Sequence, residues 1–434
     1  MHIEKYMKSA LVIFLTVLIS ACSTTSKPDA KIEPSGQHSQ IPAPIAITPT
    51  TLRNERIDSV LQAFVREGQT PGVSVLIFEN GQETYFGKAG YSDKEAKTPV
   101  SRLNVGRYYS MTKPIVGVAL MRLYEQGKFQ LDDPISKYLP EFKAMQVYNG
   151  ENEDGSMKLV PAKRPITIRD LMRHTSGFTY GFGNSKVDEL YRNKNLLSYD
   201  QTNAEFTKNL ATLPLLYQPG SHYNYSVSVD VQGRLIEVLS GKTLAEYLQT
   251  AIFNPLGMSH TGFKVKPEDK HLFTPVYGYG KNGLFRMYDG HKGVPLGLDV
   301  DRPFLKDVAF ESGGGGLVST IDDYAKFANM LLRNDGSIIK PSTLNLMSQD
   351  QLGTIPNGDL GVGSGFGLDF AVKTLKQSQG AYHVPQGSFY WGGMAGTAFL
   401  IDRKNNLVFL MHKQVMNPNW PDVRKRLAKA IYGQ

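Results

Sequence analysis

The stretch SMTKPIVGVALMRLYEQG, Ser110–Gly127, decides how this chain is read. From Met111 to Gln126 it is a strong helix, apolar enough to be buried, and Gly127 closes it. Ser110 and Lys113 stand three apart at its start and so share a face, where the amine can reach the hydroxyl. A serine hydroxyl is a poor nucleophile until a neighbour takes its proton. A lysine enclosed away from water, or beside other cations, has its pKa lowered toward that task. The helix N-terminus adds partial positive charge and N–H groups where an oxyanion would form. The spacing recurs at Ser337-Ile338-Ile339-Lys340, directly before Pro341, in a predicted turn after a helix. Only the first run opens a long apolar helix, and that context favours Ser110.

Outward from this helix, the two ends of the chain mirror each other. Leu52 to Val65 has helical spacing, Val73 to Phe78 is a short apolar strand, and Asn80-Gly81 is a hairpin turn into a second strand, Thr84 to Ala89. Near the other end, Gly387 to Trp391 and Thr397 to Ile401 read as strands. Asn405-Asn406 turns into Leu407 to His412, and a helix runs from about Pro421 to Ile431. These patterns predict an α+β fold, an α/β sandwich with an antiparallel sheet built from both chain termini and helices on both faces. The sheet is expected from about 52–100 and 385–434, around a mostly helical inserted region of about 111–385. Within that region Thr167 to Met172, Val227 to Leu239, Leu244 to Ile252 and Asp322 to Leu332 read as helices, and Asn149 to Lys163 as a polar surface insertion.

The 434 residues are 41% hydrophobic and 20% charged, which suits a folded domain with a large core. The net charge of +8 is scattered, with no basic block and no recognised module, so nucleic-acid binding is not expected. Lys5 and Lys8 precede an apolar run, Ala10 to Ile19, of signal-peptide length. It ends in Ile19-Ser20-Ala21-Cys22, which resembles a bacterial lipobox with Cys22 as the lipidated first residue. Cys22 is the sole cysteine, so neither an internal disulfide nor a cysteine metal site is available. Residues 1–21 are therefore expected to be a lipoprotein signal peptide. Residues 22–50, rich in Ser, Thr, Pro and Gln, would be a disordered tether. Ser23 in place of Asp favours the outer membrane, facing the periplasm of a bacterial envelope, with acyl chains rather than a spanning helix as anchor.

Other segments could carry chemistry. Tyr225, in Pro219-Gly220-Ser221-His222-Tyr223-Asn224-Tyr225-Ser226, could pass a proton between basic groups. Alone, among 22 tyrosines, it reads far more readily as a core tyrosine with a bonded hydroxyl. Trp391-Gly392-Gly393 permits close backbone approach, to a substrate or to the Ser110 helix. Ser312-Gly313-Gly314-Gly315-Gly316 lacks the Lys-Ser/Thr of a phosphate loop, and the alternating Gly361, Gly363, Gly365, Gly367 does not open a helix as a dinucleotide site does. His174 follows a helix and reads as bracing a turn rather than catalysing. There is no H-E-x-x-H and no G-x-S-x-G elbow.

In this order the segments resemble the serine beta-lactamase and penicillin-recognising superfamily, over about residues 52 to 430. The resemblance is to the branch with class C beta-lactamases, D,D-carboxypeptidases, D-aminopeptidases and related esterases. It rests on Ser110-Met111-Thr112-Lys113, Leu131-Asp132-Asp133-Pro134 with Tyr138-Leu139-Pro140, Ile166 to Gly177, Pro219-Gly220 before Tyr223-Asn224-Tyr225-Ser226, Gly315 to Thr320, and Trp391-Gly392-Gly393 with Gly396-Thr397. It implies a beta-lactamase/transpeptidase-like fold. Ser110 would be acylated, Lys113 would be the general base and Tyr225 the proton shuttle. The N–H groups of Ser110 and Met394 would form the oxyanion hole, and Trp391, Gly392 and Gly393 would contact substrate. No metal or organic cofactor is implied.

Two departures bear on substrate. Val227 stands where the family's Tyr-x-Asn has Asn, and Trp391 stands where a Lys or His usually begins the third motif. The cation that would meet a substrate carboxylate is thus missing, a charged hydrogen bond of about 1.5–3 kcal/mol. Both departures look like the family's esterase branch. Ester hydrolysis is expected, with D-amino-acid amide or peptide hydrolysis, D,D-carboxypeptidase or weak beta-lactamase activity as rivals. A non-catalytic envelope-binding lipoprotein is the alternative of another class. Segments around Tyr180 to Ala211 and Gly257 to Leu305 are expected to roof the pocket.

Overall fold

The computed structural model describes residues 50–291, 298–375, 384–416 and 420–433. Cys22, the signal sequence and the tether lie outside the described residues. The expected α+β sandwich is what forms. Its centre is an eight-stranded sheet in the order Ser364–Phe366, Ala371–Lys373, Phe389–Gly392, Ala398–Asp402, Leu407–His412, Gly72–Glu79, Gln82–Asp93, Thr98–Pro99. Neighbouring strands pair antiparallel throughout. The two ends of the chain meet where Gly72–Glu79 pairs with Leu407–His412, Ser74 opposite His412 and Glu79 opposite Leu407. Asn80 and Gly81 both take positive φ, 51° and 77°, as a two-residue hairpin turn with the sheet's own twist requires.

Side chains alternate across a strand, and both faces of these strands are covered, so the strands read as nearly unbroken apolar runs. Val73, Val75, Ile77, Leu407, Phe409 and Met411 point to one face, under the helices Thr50–Arg66 and Trp420–Tyr432. Leu76, Val408, Leu410, Phe399 and Ile401 point to the other. There the helix Ile321–Arg333, with Phe327 and Leu331, packs on them, and the same core takes in Val116 and Leu120 of the helix Thr112–Glu125.

The inserted region contributes more to the sheet than expected. Ser364–Phe366 and Ala371–Lys373 extend it by two strands from within the stretch read as helical. Each is only three residues long, too short for its period to register in sequence. The polar insertion at 149–163 belongs to a surface hairpin, Gln146–Glu151 with Met157–Pro161. The helix expected over Leu244 to Ile252 is α-helical at Leu244–Leu248 and continues as a π-turn, Gln249–Phe253. Among the described residues, no helix is long and apolar enough to cross a membrane.

Candidate active site

Three segments distant in sequence meet at Ser110. The first is a 3-10 turn, Tyr109–Met111, leading into the helix Thr112–Glu125. Tyr109 has φ 41°, a left-handed conformation that a bulky side chain rarely adopts. The surroundings hold it there. Tyr108 N–H donates to Leu317 O (2.9 Å), Leu317 N–H donates to Thr112 Oγ1 (3.1 Å), and Tyr324 OH donates to Met111 O (2.9 Å). Ser110 is partly exposed, whereas Lys113 is 1% exposed. Lys113 Nζ lies 3.2 Å from Ser110 Oγ and donates to Gly314 O at 2.5 Å. Tyr225 OH donates to Ser110 Oγ at 2.7 Å. The nucleophile candidate is therefore in hydrogen-bond contact with both groups expected to move its proton. The model for the family described as Beta-lactamase matches residues 57–434.

The chain belongs to the beta-lactamase family. Protein Rv1367c of Mycobacterium tuberculosis is 31% identical over 86% of this chain and 92% of its own length. Esterase EstB of Burkholderia gladioli is 32% identical over 82% of this chain and 89% of its own. Among solved structures, EstCE1, described as a hydrolase with promiscuous acyltransferase activity, is 28% identical. It superposes with a TM-score of 0.73 over 88% of this chain and 99% of its own.

The family's tyrosine segment is held from beneath by His174, which sequence placed only as a turn brace. His174 is fully buried at φ 54°, and the network that seats it is local. Thr167 caps the helix Ile168–Met172 in a reciprocal box with Asp170. Asp170 accepts from Arg164 (2.5 Å), Arg173 (3.1 Å) and Thr175 (2.8 Å). Burial pushes the Asp170 carboxyl up, but Arg164 and the Thr167 N–H more than offset it, and it stays below the usual carboxylate range. His174 Nδ1 accepts from Ser226 N–H at 3.3 Å, and its ring lies 4.9 Å from that of Tyr225. Burial, reinforced by the nearby Lys113 charge, holds this imidazole well below its ordinary pKa and hence neutral.

Two participants escaped sequence reasoning. The Ser312–Gly316 run, rejected as a phosphate loop, wraps the lysine. Gly314 turns its carbonyl to Lys113, while its N–H donates to Asp230 Oδ1 at 3.0 Å, and Ser312 Oγ donates to the same oxygen at 2.6 Å. A Cβ at position 314 would fall 2.4 Å from Asp230 Oδ2 and 2.7 Å from Tyr180 OH, which is why glycine stands there. Asp230 is 1% exposed, and burial raises its carboxyl pKa against the opposing pull of Lys113. Asp369, also buried, is raised further, by burial first. The signal that could have found Asp230 is an acidic residue on the inward face of the helix Ser228–Ser240, five positions after Tyr225.

Ser110 opens into a cavity. Tyr180, Phe182, Leu197 and Tyr199 come to it from one of the segments expected to roof it, and Leu298 and Phe304 from the other. Among the described residues lining it, none carries a charge. From the third motif the lining takes Met394. Trp391 stands one layer back, its ring 5.4 Å from Tyr225 and 5.3 Å from Phe366. A Cβ on Gly392 would fall 2.3 Å from Arg424 and one on Gly393 2.3 Å from Tyr108 O, so protein stands at the side-chain position of both glycines. In their strand Phe389 and Tyr390 pair with Val372 and Ala371, leaving Trp391 and Gly392 beyond that pairing.

Proposed function

We propose that this protein is a carboxylic ester hydrolase working through an acyl-enzyme on Ser110. The observation that carries this is the cavity over Ser110, whose described lining is uncharged and rich in aromatic rings, which suits a neutral apolar ester. The kinship with esterase EstB supports it.

Lys113 takes the Ser110 proton along the 3.2 Å line between them as the hydroxyl oxygen bonds to the ester carbon. The backbone N–H groups of Ser110 and Met394 receive the negative charge on the carbonyl oxygen. Tyr225 gives a proton to the alkoxy oxygen as its bond to carbon breaks, and the alcohol departs. Water then attacks the acyl carbon, yielding a proton to the Tyr225 and Lys113 pair. The bond to Ser110 Oγ breaks, and the serine regains its proton. Acyl transfer to an alcohol in place of water is the second reading. It is favoured by the apolar cavity, and EstCE1 is described with such an activity.

A panel of p-nitrophenyl esters, nitrocefin and D-alanyl peptides tests substrate class. Esters should be the faster substrates, and nitrocefin or peptide turnover far above every ester would reverse the assignment. A fluorophosphonate probe should label wild type and not S110A; equal labelling would remove Ser110 as nucleophile.

The N-terminal run from Lys5 to Cys22 supports a separate reading, a lipid anchor at Cys22 in the bacterial outer membrane. Metabolic palmitate labelling should be lost in C22A, and label retained there would end that reading.

A further inference from the structure

Val227 follows Tyr225 by two residues, yet it does not line the Ser110 cavity. It is 1% exposed and lines a second cavity. The two cavities share two wall residues, Tyr180 and Leu197. Behind that partition, Val227, Tyr191 and Leu196 form a buried inner wall, and exposed Arg192 and Asn195 form the rim. An Asn at position 227 would place an amide on the inner wall; Val leaves it apolar.

The partition is unequal. Tyr180 is held by ring contacts with Phe182 (5.2 Å) and Tyr225 (5.3 Å), and Lys113 Nζ lies 5.3 Å from its ring centre. Leu197 is an aliphatic side chain with no polar atom to tie it. Leu197 is therefore the part of the partition that a change of rotamer can move.

We infer that the second cavity receives the distal part of the substrate's acyl chain, so that the substrate class is esters of extended apolar acids, with Val227 and Leu197 setting chain length. This rests on the esterase reading above. The acyl arm is assigned because the leaving oxygen must lie at Tyr225, and Tyr225 lines the first cavity and not the second. The alcohol therefore belongs to the first cavity, and the chain directed away from that proton donor is left for the second.

The experiment is the ratio of kcat/KM for p-nitrophenyl octanoate to that for the acetate. V227F, which fills the inner wall, should lower the ratio about tenfold, the scale on which apolar pockets discriminate methylene groups. L197A, which opens the partition, should raise it. Ratios unchanged in both folded variants would overturn the inference and leave the esterase reading standing. It is equally overturned if acetyl esters of long alcohols, rather than acyl-chain length, follow the substitutions. Wild type inert toward every ester would end both readings together. Should V227F fail to fold, a crystal structure of wild-type Ser110 bearing an octylphosphonate decides. The chain in the second cavity supports the assignment, and a chain held wholly in the first refutes it.

Discussion

Two runs in this molecule have the same S-x-x-K spacing and opposite fates. In Ser110–Lys113 the pair opens a buried helix. The amine is enclosed, the hydroxyl borders a cavity, and Tyr225 and Gly314 arrive from elsewhere to hold both. In Ser337–Lys340 both end residues are exposed in a turn. Ser337 N–H donates to Asp335, Lys340 N–H donates to Glu125, and Lys340 caps the short helix Pro341–Met347. Spacing supplies reach; enclosure supplies chemistry.

The largest effect should separate the two runs outright. S110A is expected to lower ester turnover roughly 10⁴- to 10⁶-fold, as for other covalent nucleophiles, whereas S337A should leave kcat/KM unchanged. Comparable loss in both would dissolve the distinction. Y225F removes the proton donor that only the first run possesses. Its kcat should fall about 10²- to 10⁴-fold while fluorophosphonate still labels Ser110; full activity would make Tyr225 a packing residue.

Acid should loosen one run before the other. His412 Nδ1 meets Tyr108 OH at 3.3 Å beneath the Ser110 turn, and burial lowers the His412 pKa to about 4. Between the unfolded value near 6.5 and this folded value, the unfolded chain binds more protons. The stability that a neutral His412 allows is thus present above pH 6.5 and lost as pH falls through about 4. The loss is on the order of 3 kcal/mol, and buried His174, shifted the same way, adds to it. The turn at Ser337 leans on Asp335, which Arg333 and Ser337 hold well below the usual carboxylate range and thus ionised. Urea unfolding at pH 7 and pH 5 should show the difference, and H412Q should flatten part of the slope. An unchanged slope would free His412 of this role.

The smallest effect concerns what holds the lysine. D230A should lower kcat about tenfold with little change in KM, as Gly314 loses the acceptor of its N–H. D230N keeps an oxygen for Ser312 and Gly314 and should retain most activity. If D230N were as impaired as D230A, the charge rather than the hydrogen bonds would be what matters.

Legibility followed the range of the interactions. The hairpin around Asn80-Gly81 was readable because its turn chemistry is local, but the register shift between Ile77 and Phe78 was not, since it answers to packing. Leu407–His412 was readable because both its faces are buried and five of its six residues are apolar. The strands Ser364–Phe366 and Ala371–Lys373 are too short to carry a period. The neighbours of Trp391, Tyr225 and Phe366, are not readable in sequence, since they depend on how the strand end lies against the tyrosine segment. In Ser312–Gly316 the glycines report closeness without naming the partner; for Gly314 the partners are Asp230 and Tyr180.

By itself, the sequence determined that Ser110 and Lys113 share a face, since three residues along a helix suffice for that. It also determined which strands are apolar on both sides. Tertiary structure alone decided that Tyr225, 115 residues on, reaches the hydroxyl, and that Gly314, 201 residues on, takes the amine. It alone directed Val227 into a second cavity. Local geometry follows from bond angles and periodicity, whereas an enclosed site exists only once distant segments have packed and expelled water around it.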